Sequence, residues 1–258
     1  MEPVLLSIDP RWAAGLFLSL TRVGGFVVAS PLTRPFPPVG RLAFTIGVAT
    51  AMTTPVEAAE SLSRLLGSAL VNAALGLALG WLTGVIFQLF SVTGGIVDFG
   101  SGLSVSQVFD PSSGEPAAIF GRWFPMTAMA LFVVSGGLPL VLAGLHRSVR
   151  AIPLDGGIRF DADLVDHAAL QVSQLMVVGV ELALPLAATL LVCEVLLGMA
   201  SRLVPQFNVF LLGLPAKIWI TLSLLTILIL RFPEVTLNVI DLIDAGFDEA
   251  LRGFLPRG

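Results

Sequence analysis

Apolar stretches alternate with short polar breaks along the chain, and the length of each stretch limits what it can become. The first runs from Trp12 to Ser30, about the ~20 residues that a helical membrane span requires, and holds one charge, Arg22. It ends in PLTRPFPPVGR, where Pro31, Pro35, Pro37 and Pro38 fix φ and remove backbone donors, which stops a helix. Leu42 to Thr54 is apolar but short for a span, and a half-embedded or protein-buried helix fits it equally well. Pro55, Glu57, Glu60 and Arg64 mark a polar link. From Leu65 to Val97 there is no charge over 33 residues. As one helix that run measures about 50 Å, against a hydrocarbon core of ~30 Å. It is expected either to kink, with Gly94-Gly95 as the place, or to project into protein surroundings. Pro125 to Leu145 is charge-free again, with Gly136, Gly137 and Pro139 predicting a kink. Ala168 to Met199 holds Glu181, Pro185 and Glu194. SRLVPQFNVFLLGLPAK then leads to a final apolar run, Ile218 to Leu230. In the tail from Arg231, Val235, Val239, Leu242, Ile243 and Phe247 are spaced as one face of an amphipathic helix.

Composition turns this pattern into a class. Of 258 residues, 55% are hydrophobic and only 12% charged, about half the ~25% of soluble domains. Mean hydropathy is +0.93. So few charges cannot cover a water-soluble surface, so the chain reads as an integral membrane protein or a core subunit of a membrane complex, and with its helix-length apolar runs the expected fold class is all-α. Counted as six spans, eight basic residues fall on the side of the termini and five on the other; the positive-inside rule would put both termini in the cytoplasm, but so small an excess does not decide the orientation, and the count changes if the short second segment does not cross. The N-terminal MEPVLLSIDPRW lacks a basic region ahead of an apolar run, so no cleaved signal peptide is expected. A net charge of −4 argues against nucleic acid as a partner. The single cysteine, Cys193, excludes an internal disulfide and lies in an apolar run, as an inert buried thiol does.

Three features carry candidate function. Gly76, Gly80 and Gly84 recur every four residues, so they share one helix face, and Asn72 and Ala73 precede them; such a smooth stripe predicts close helix packing. Arg22, Glu181 and Glu194 lie inside apolar segments, where a lipid-facing charge costs ~2.5–3.5 kcal/mol on insertion scales. They should face protein or water, as clamps between helices ahead of a proton or ion relay. Between Asp98 and Phe124, turn residues (Asp110, Pro111, Ser112, Ser113, Gly114, Pro116) mix with Phe109, Ile119, Phe120, Trp123 and Phe124. A solvated loop does not carry that many aromatics; one that folds onto protein or lines a cavity does. Neither His146 nor His167 has a metal-ligand partner at i+3 or i+4, and no nucleophile elbow, Walker loop or zinc spacing occurs. No catalytic residue, metal or cofactor is expected, and nothing supports an enzyme. A small secondary transporter would show similar halves around a midplane site, and no clear halves are visible.

Three stretches together resemble the FliR family of flagellar export-gate proteins. The most specific is SRLVPQFNVFLLGLPAKI, with Gly198 ahead of it and Ser201, Arg202, Pro205, Gln206, Asn208, Val209, Phe210, Gly213, Pro215 and Lys217 in the family pattern. Val108-Phe109-Asp110-Pro111, followed by Ser112-Ser113-Gly114, looks like the family's Asp-Pro loop. Arg22, Ser30-Pro31 and Pro38-x-x-Arg41 make the third, and the crowded RPFPP run departs from the pattern there. The resemblance implies a fold of helical hairpins stacked around a pore. Residues 1–167 would be FliP-like and include a pore plug around 106–122; residues 168–258 would be a FliQ-like hairpin with an amphipathic tail. It implies a subunit of the type III export gate in the bacterial inner membrane, at the flagellar basal body. Its partners would be FliP-like and FliQ-like subunits, FlhB-like and FlhA-like proteins, and the exported unfolded flagellar proteins. Injectisome relatives of the SctT type share the fold, and Asp110-Pro111-Ser112-Ser113 inclines the reading to the flagellar branch.

Overall fold

The computed structural model describes residues 9–56, 62–102, 119–155, 163–203 and 209–254, and every regular element among them is helical. Helix α1 spans Pro10–Ala29, and a 3-10 turn, Pro31–Thr33, follows it. Then come α2 (Pro38–Met52), α3 (Leu62–Ser101), α4 (Ile119–Val134), α5 (Gly137–Ala151), α6 (Asp163–Leu203) and α7 (Val209–Phe254). α1 begins with Pro10 at its first position, where a missing N–H costs nothing, and the Asp9 carboxylate accepts from Arg11 N at 2.9 Å. Beyond Ser30 the prolines end it, as the sequence indicates.

Among the described residues, four helices are long and apolar enough to cross a membrane: α1, α3, Met176–Leu203 of α6 and Gly213–Phe247 of α7; α4 and α5 count as a fifth span if taken together. The expected six therefore fall to four or five. Without α2, whose 15 residues reach only about 22 Å, five remain, and four if the bent pair α4–α5 is not counted as a span. Of the two outcomes expected for the long run, a kink at Gly94-Gly95 or projection into protein surroundings, the first is not seen: the helix continues through both glycines and α3 reaches 40 residues. The kink expected near Gly136 is a full break. Gly136 takes φ +86°, a left-handed conformation open to glycine without steric cost, and separates α4 from α5. The last apolar run and the amphipathic tail merge into a single 46-residue helix, α7, with Pro215 and Pro233 inside it.

The helices group into two compact units, neither continuous in sequence. In the first, residues 1–85, 136–170 and 240–258, α1 buries Leu18, Arg22, Val23, Phe26 and Val27 on one face. α2 packs on α1 and α5. Toward the C-terminal end of α7, Phe247 is fully buried with its ring against Gly144 of α5, and Arg147 pairs with Asp244. The second unit, residues 86–135 and 171–239, has an aromatic core. Phe132 sits edge-on to Phe87 with ring centres 5.5 Å apart, and Phe232 lies 5.7 Å from Phe90 and 5.3 Å from Phe124. Such offset and edge-on pairs use the ring quadrupole in addition to apolar burial.

Candidate functional site

Arg22 is 1% exposed, and its guanidinium is satisfied by neutral groups. Nε donates to Asn72 Oδ1 at 2.8 Å, Nη1 to the Ser148 carbonyl at 2.8 Å and Nη2 to the Ile152 carbonyl at 2.9 Å. Ser148 lies in the last turn of α5 and Ile152 just past it, at the negative end of the helix dipole; the Ser148 carbonyl also accepts the capping Ile152 N–H at 3.0 Å. The buried cation therefore closes a helix C-terminus. Asn72 completes the network, donating to the carbonyls of Ser68 at 2.7 Å and Leu154 at 2.8 Å. One arginine and one asparagine thus tie together α1, α3 and the end of α5.

The glycine face meets α1 at the same level. A Cβ on Gly76 would sit 1.9 Å from the Arg22 carbonyl oxygen, and one on Gly80 would sit 2.6 Å from that of Phe26. In the other direction, a Cβ on Gly25 would lie 2.6 Å from the Ala73 carbonyl oxygen. Gly84 is looser, with Ala29 and Pro31 at ordinary contact distance, 3.5 Å. The backbones of α1 and α3 are close enough to exclude side chains, which holds Arg22 against Asn72.

The second cluster lies at the base of the Asp-Pro loop. Phe109, Asp110, Pro111, Ser112, Ser113 and Gly114 fall outside the described residues. Ile119 and Phe120 open α4, Ile119 exposed and Phe120 buried. Asp98, near the end of α3 and 1% exposed, reaches the first turn of α4. Its Oδ1 accepts from Phe120 N at 3.1 Å and its Oδ2 from Gly121 N at 2.8 Å. A carboxylate at a helix N-terminus satisfies orphan donors and complements the dipole. Ser91 Oγ donates to the Gly121 carbonyl at 3.0 Å, and a Cβ on Gly94 would lie 2.2 Å from the Phe120 oxygen. α3 thus grips residues 120 and 121 at three points. The sequence reading did not single out Asp98. Its one visible signal was an acidic residue at the end of a 33-residue uncharged run. Gly94, half of the glycine pair at which a kink was one of two expected outcomes, is a point of close approach.

The remaining site residues lie on α6 and α7. Glu194, expected to clamp, pairs with Lys217 at 2.9 Å, across the hairpin. Gly213 is buried against Leu197, Pro215 is exposed inside α7, and Phe210 lies in its first turn. Ser201 and Arg202 are exposed at the end of α6, with Ser201 Oγ donating to the Gly198 carbonyl at 2.7 Å. Pro205, Gln206 and Asn208 fall outside the described residues. Glu181 is exposed on α6 and lines a cleft of about 490 Å³ with Arg231, Glu234 and Asn238 of α7. Among the described residues, no cluster of His, Cys, Asp and Glu able to hold a metal ion occurs.

The sequence is similar to those of known proteins. The chain is 27% identical over 232 residues to the flagellar biosynthetic protein FliR of Bacillus subtilis (strain 168), covering 87% of this chain and 90% of that protein. To the flagellar biosynthetic protein FliR of Aquifex aeolicus (strain VF5) it is 26% identical over 233 residues, 87% of each. To the surface presentation of antigens protein SpaR of Shigella flexneri it is 31% identical over 157 residues, 60% of this chain and 58% of that protein. Residues 13–243, from the first turn of α1 deep into α7, match bacterial export proteins, family 1, and the chain belongs to that family.

Proposed function

We propose that the chain is a subunit of the flagellar type III export gate, forms part of the channel through which unfolded flagellar proteins are exported, and is needed for flagellum assembly. One observation carries this reading: similarity to a flagellar biosynthetic protein extends over 87% of this chain and 90% of that relative. Its role is structural, not enzymatic. The chain works with other export proteins, and in this proposal those are FliP-like and FliQ-like subunits together with FlhB-like and FlhA-like proteins. The complex sits in the inner membrane at the flagellar basal body.

The finer assignments belong to the same proposal. Residues 1–167 form the FliP-like part and residues 168–258 the FliQ-like part. The loop around 106–122 is the pore plug, and the grip of α3 on Phe120 and Gly121 gives that loop a fixed foot. A clamp role for Glu194 is supported by its pair with Lys217. The injectisome export gate is the second reading, favoured by the 31% identity to SpaR over 157 residues. Deleting the gene decides between them. Flagellin and hook protein should vanish from the culture supernatant and return with a plasmid copy. A deletion strain that still secretes flagellin and swims would overturn the flagellar reading.

A further inference from the structure

We infer that the cleft between α6 and α7 is a docking groove for one membrane helix of another export-apparatus subunit, an apolar helix carrying a lysine or arginine that meets Glu181. The inference rests on the export-gate reading. The groove is amphipathic along its length. Glu194 pairs with Lys217 at 2.9 Å near the link between the two helices, which fixes their antiparallel order. Going away from that link, Leu186, Leu224 and Leu228 line the cleft first, and Glu181, Arg231 and Glu234 line its far end. The charges do not balance. Arg231 is engaged by Glu234 at 3.3 Å, while among the described residues Glu181 has no hydrogen-bond or ion-pair partner and is exposed. Glu181 lies within the apolar window Met176–Leu203, where a carboxylate facing lipid is costly and a facing cation removes the cost.

An occupant must therefore be apolar along most of its length and cationic at one end. A second copy of this chain meets that poorly, because the cations lying away from the ends of its four apolar spans are already engaged, Arg22 by Asn72 and carbonyls, Lys217 by Glu194 and Arg231 by Glu234. A helix from a different subunit remains. Its single cation would give specificity, since any other helix would bury Glu181 unpaired.

The test places a photo-crosslinking amino acid at Ile227, which lines the cleft and is 61% exposed, in cells carrying the complete apparatus. The expected result is an adduct to a membrane-helix peptide that contains Lys or Arg and comes from another export protein. Glu181→Arg should cut its yield about tenfold or more, the scale set by opposing like charges in a buried contact. A probe at Trp219, exposed on α7 outside the cleft, should keep its yield. If Glu181→Arg also changes the Trp219 signal, Glu181→Gln decides: a drop of about threefold or more at Ile227 supports the groove, and an unchanged yield overturns it. Adducts to phospholipid alone, to another copy of this chain, or to a peptide without a basic residue also overturn it. Flagellin secretion by the same cells separates the two ideas. Secreting cells with only lipid adducts sink the groove alone, whereas cells whose secretion does not depend on this chain sink the export-gate reading itself.

Discussion

Replacing Arg22 with lysine keeps the charge and removes the planar fork that reaches Asn72, Ser148 and Ile152 at once. At least one buried carbonyl then loses its donor, at about 1–3 kcal/mol. The purified complex should melt at a lower temperature and in lower yield, and an unchanged melting profile would contradict the network. Asp98→Asn tests the α4 cap in the same way. The amide offers one acceptor where the carboxylate offers two, so Phe120 N or Gly121 N faces a donor, again at about 1–3 kcal/mol. Asp98→Asn should lower the melting temperature, whereas Asp155→Asn, at an exposed turn, should not. Arg22 was legible in the sequence as a charge that needed burial in protein. Its partners were not, because the acceptors are backbone carbonyls 126 and 130 residues away, and any residue can supply a carbonyl.

Helix by helix, spacing told most. The glycine ladder was visible as a face, and the structure sets α1 against it. Gly76→Ala should block assembly, since the new Cβ would meet main-chain atoms of α1 that cannot move aside. Gly95→Ala is the contrasting case: nothing lies within 4 Å of its added Cβ, and a helical Gly→Ala change is stabilising by roughly 0.5–1 kcal/mol. Comparing complex yields for the two variants separates packing from propensity. Deleting Gln107–Ile119 should leave assembly intact but let ions leak through the membrane, as conductance in planar bilayers or growth under ionic stress would reveal. Wild-type conductance in the deletion would count against a plug. The final apolar run and the amphipathic tail, separate in the sequence pattern, form one helix: Arg231 and Glu234 pair at i, i+3 on an exposed face and the helix continues through Pro233. Two glycines in a row looked like a hinge in α3 because sequence alone cannot distinguish flexibility from the need for close approach.

Over the whole molecule, the apolar windows of α6 and α7 are only 22% and 17% buried, against 39% for α1 and 44% for α3. Helices so bare need cover from lipid or from other subunits. Expressed alone and extracted in detergent, the chain should run as a polydisperse, aggregation-prone species, and co-expression with the other export-gate subunits should give one sharp peak in size-exclusion chromatography. A stable lone monomer would argue that lipid suffices. The membrane class was legible from composition because 12% charge leaves no alternative; the identity of the covering surface was not, since the apolar residues of a span look alike against either. Arg22 has one more consequence, in the order of synthesis. Its acceptors at Ser148 and Ile152 leave the ribosome at least 126 residues after it, roughly 6 to 25 s later at bacterial elongation rates of about 5–20 residues per second. For that interval the first helix enters the bilayer with its charge unanswered, so a nascent chain stalled before residue 148 should leave that segment easily pulled back out, and one stalled far enough beyond residue 152 for that residue to have cleared the exit tunnel should hold it fast.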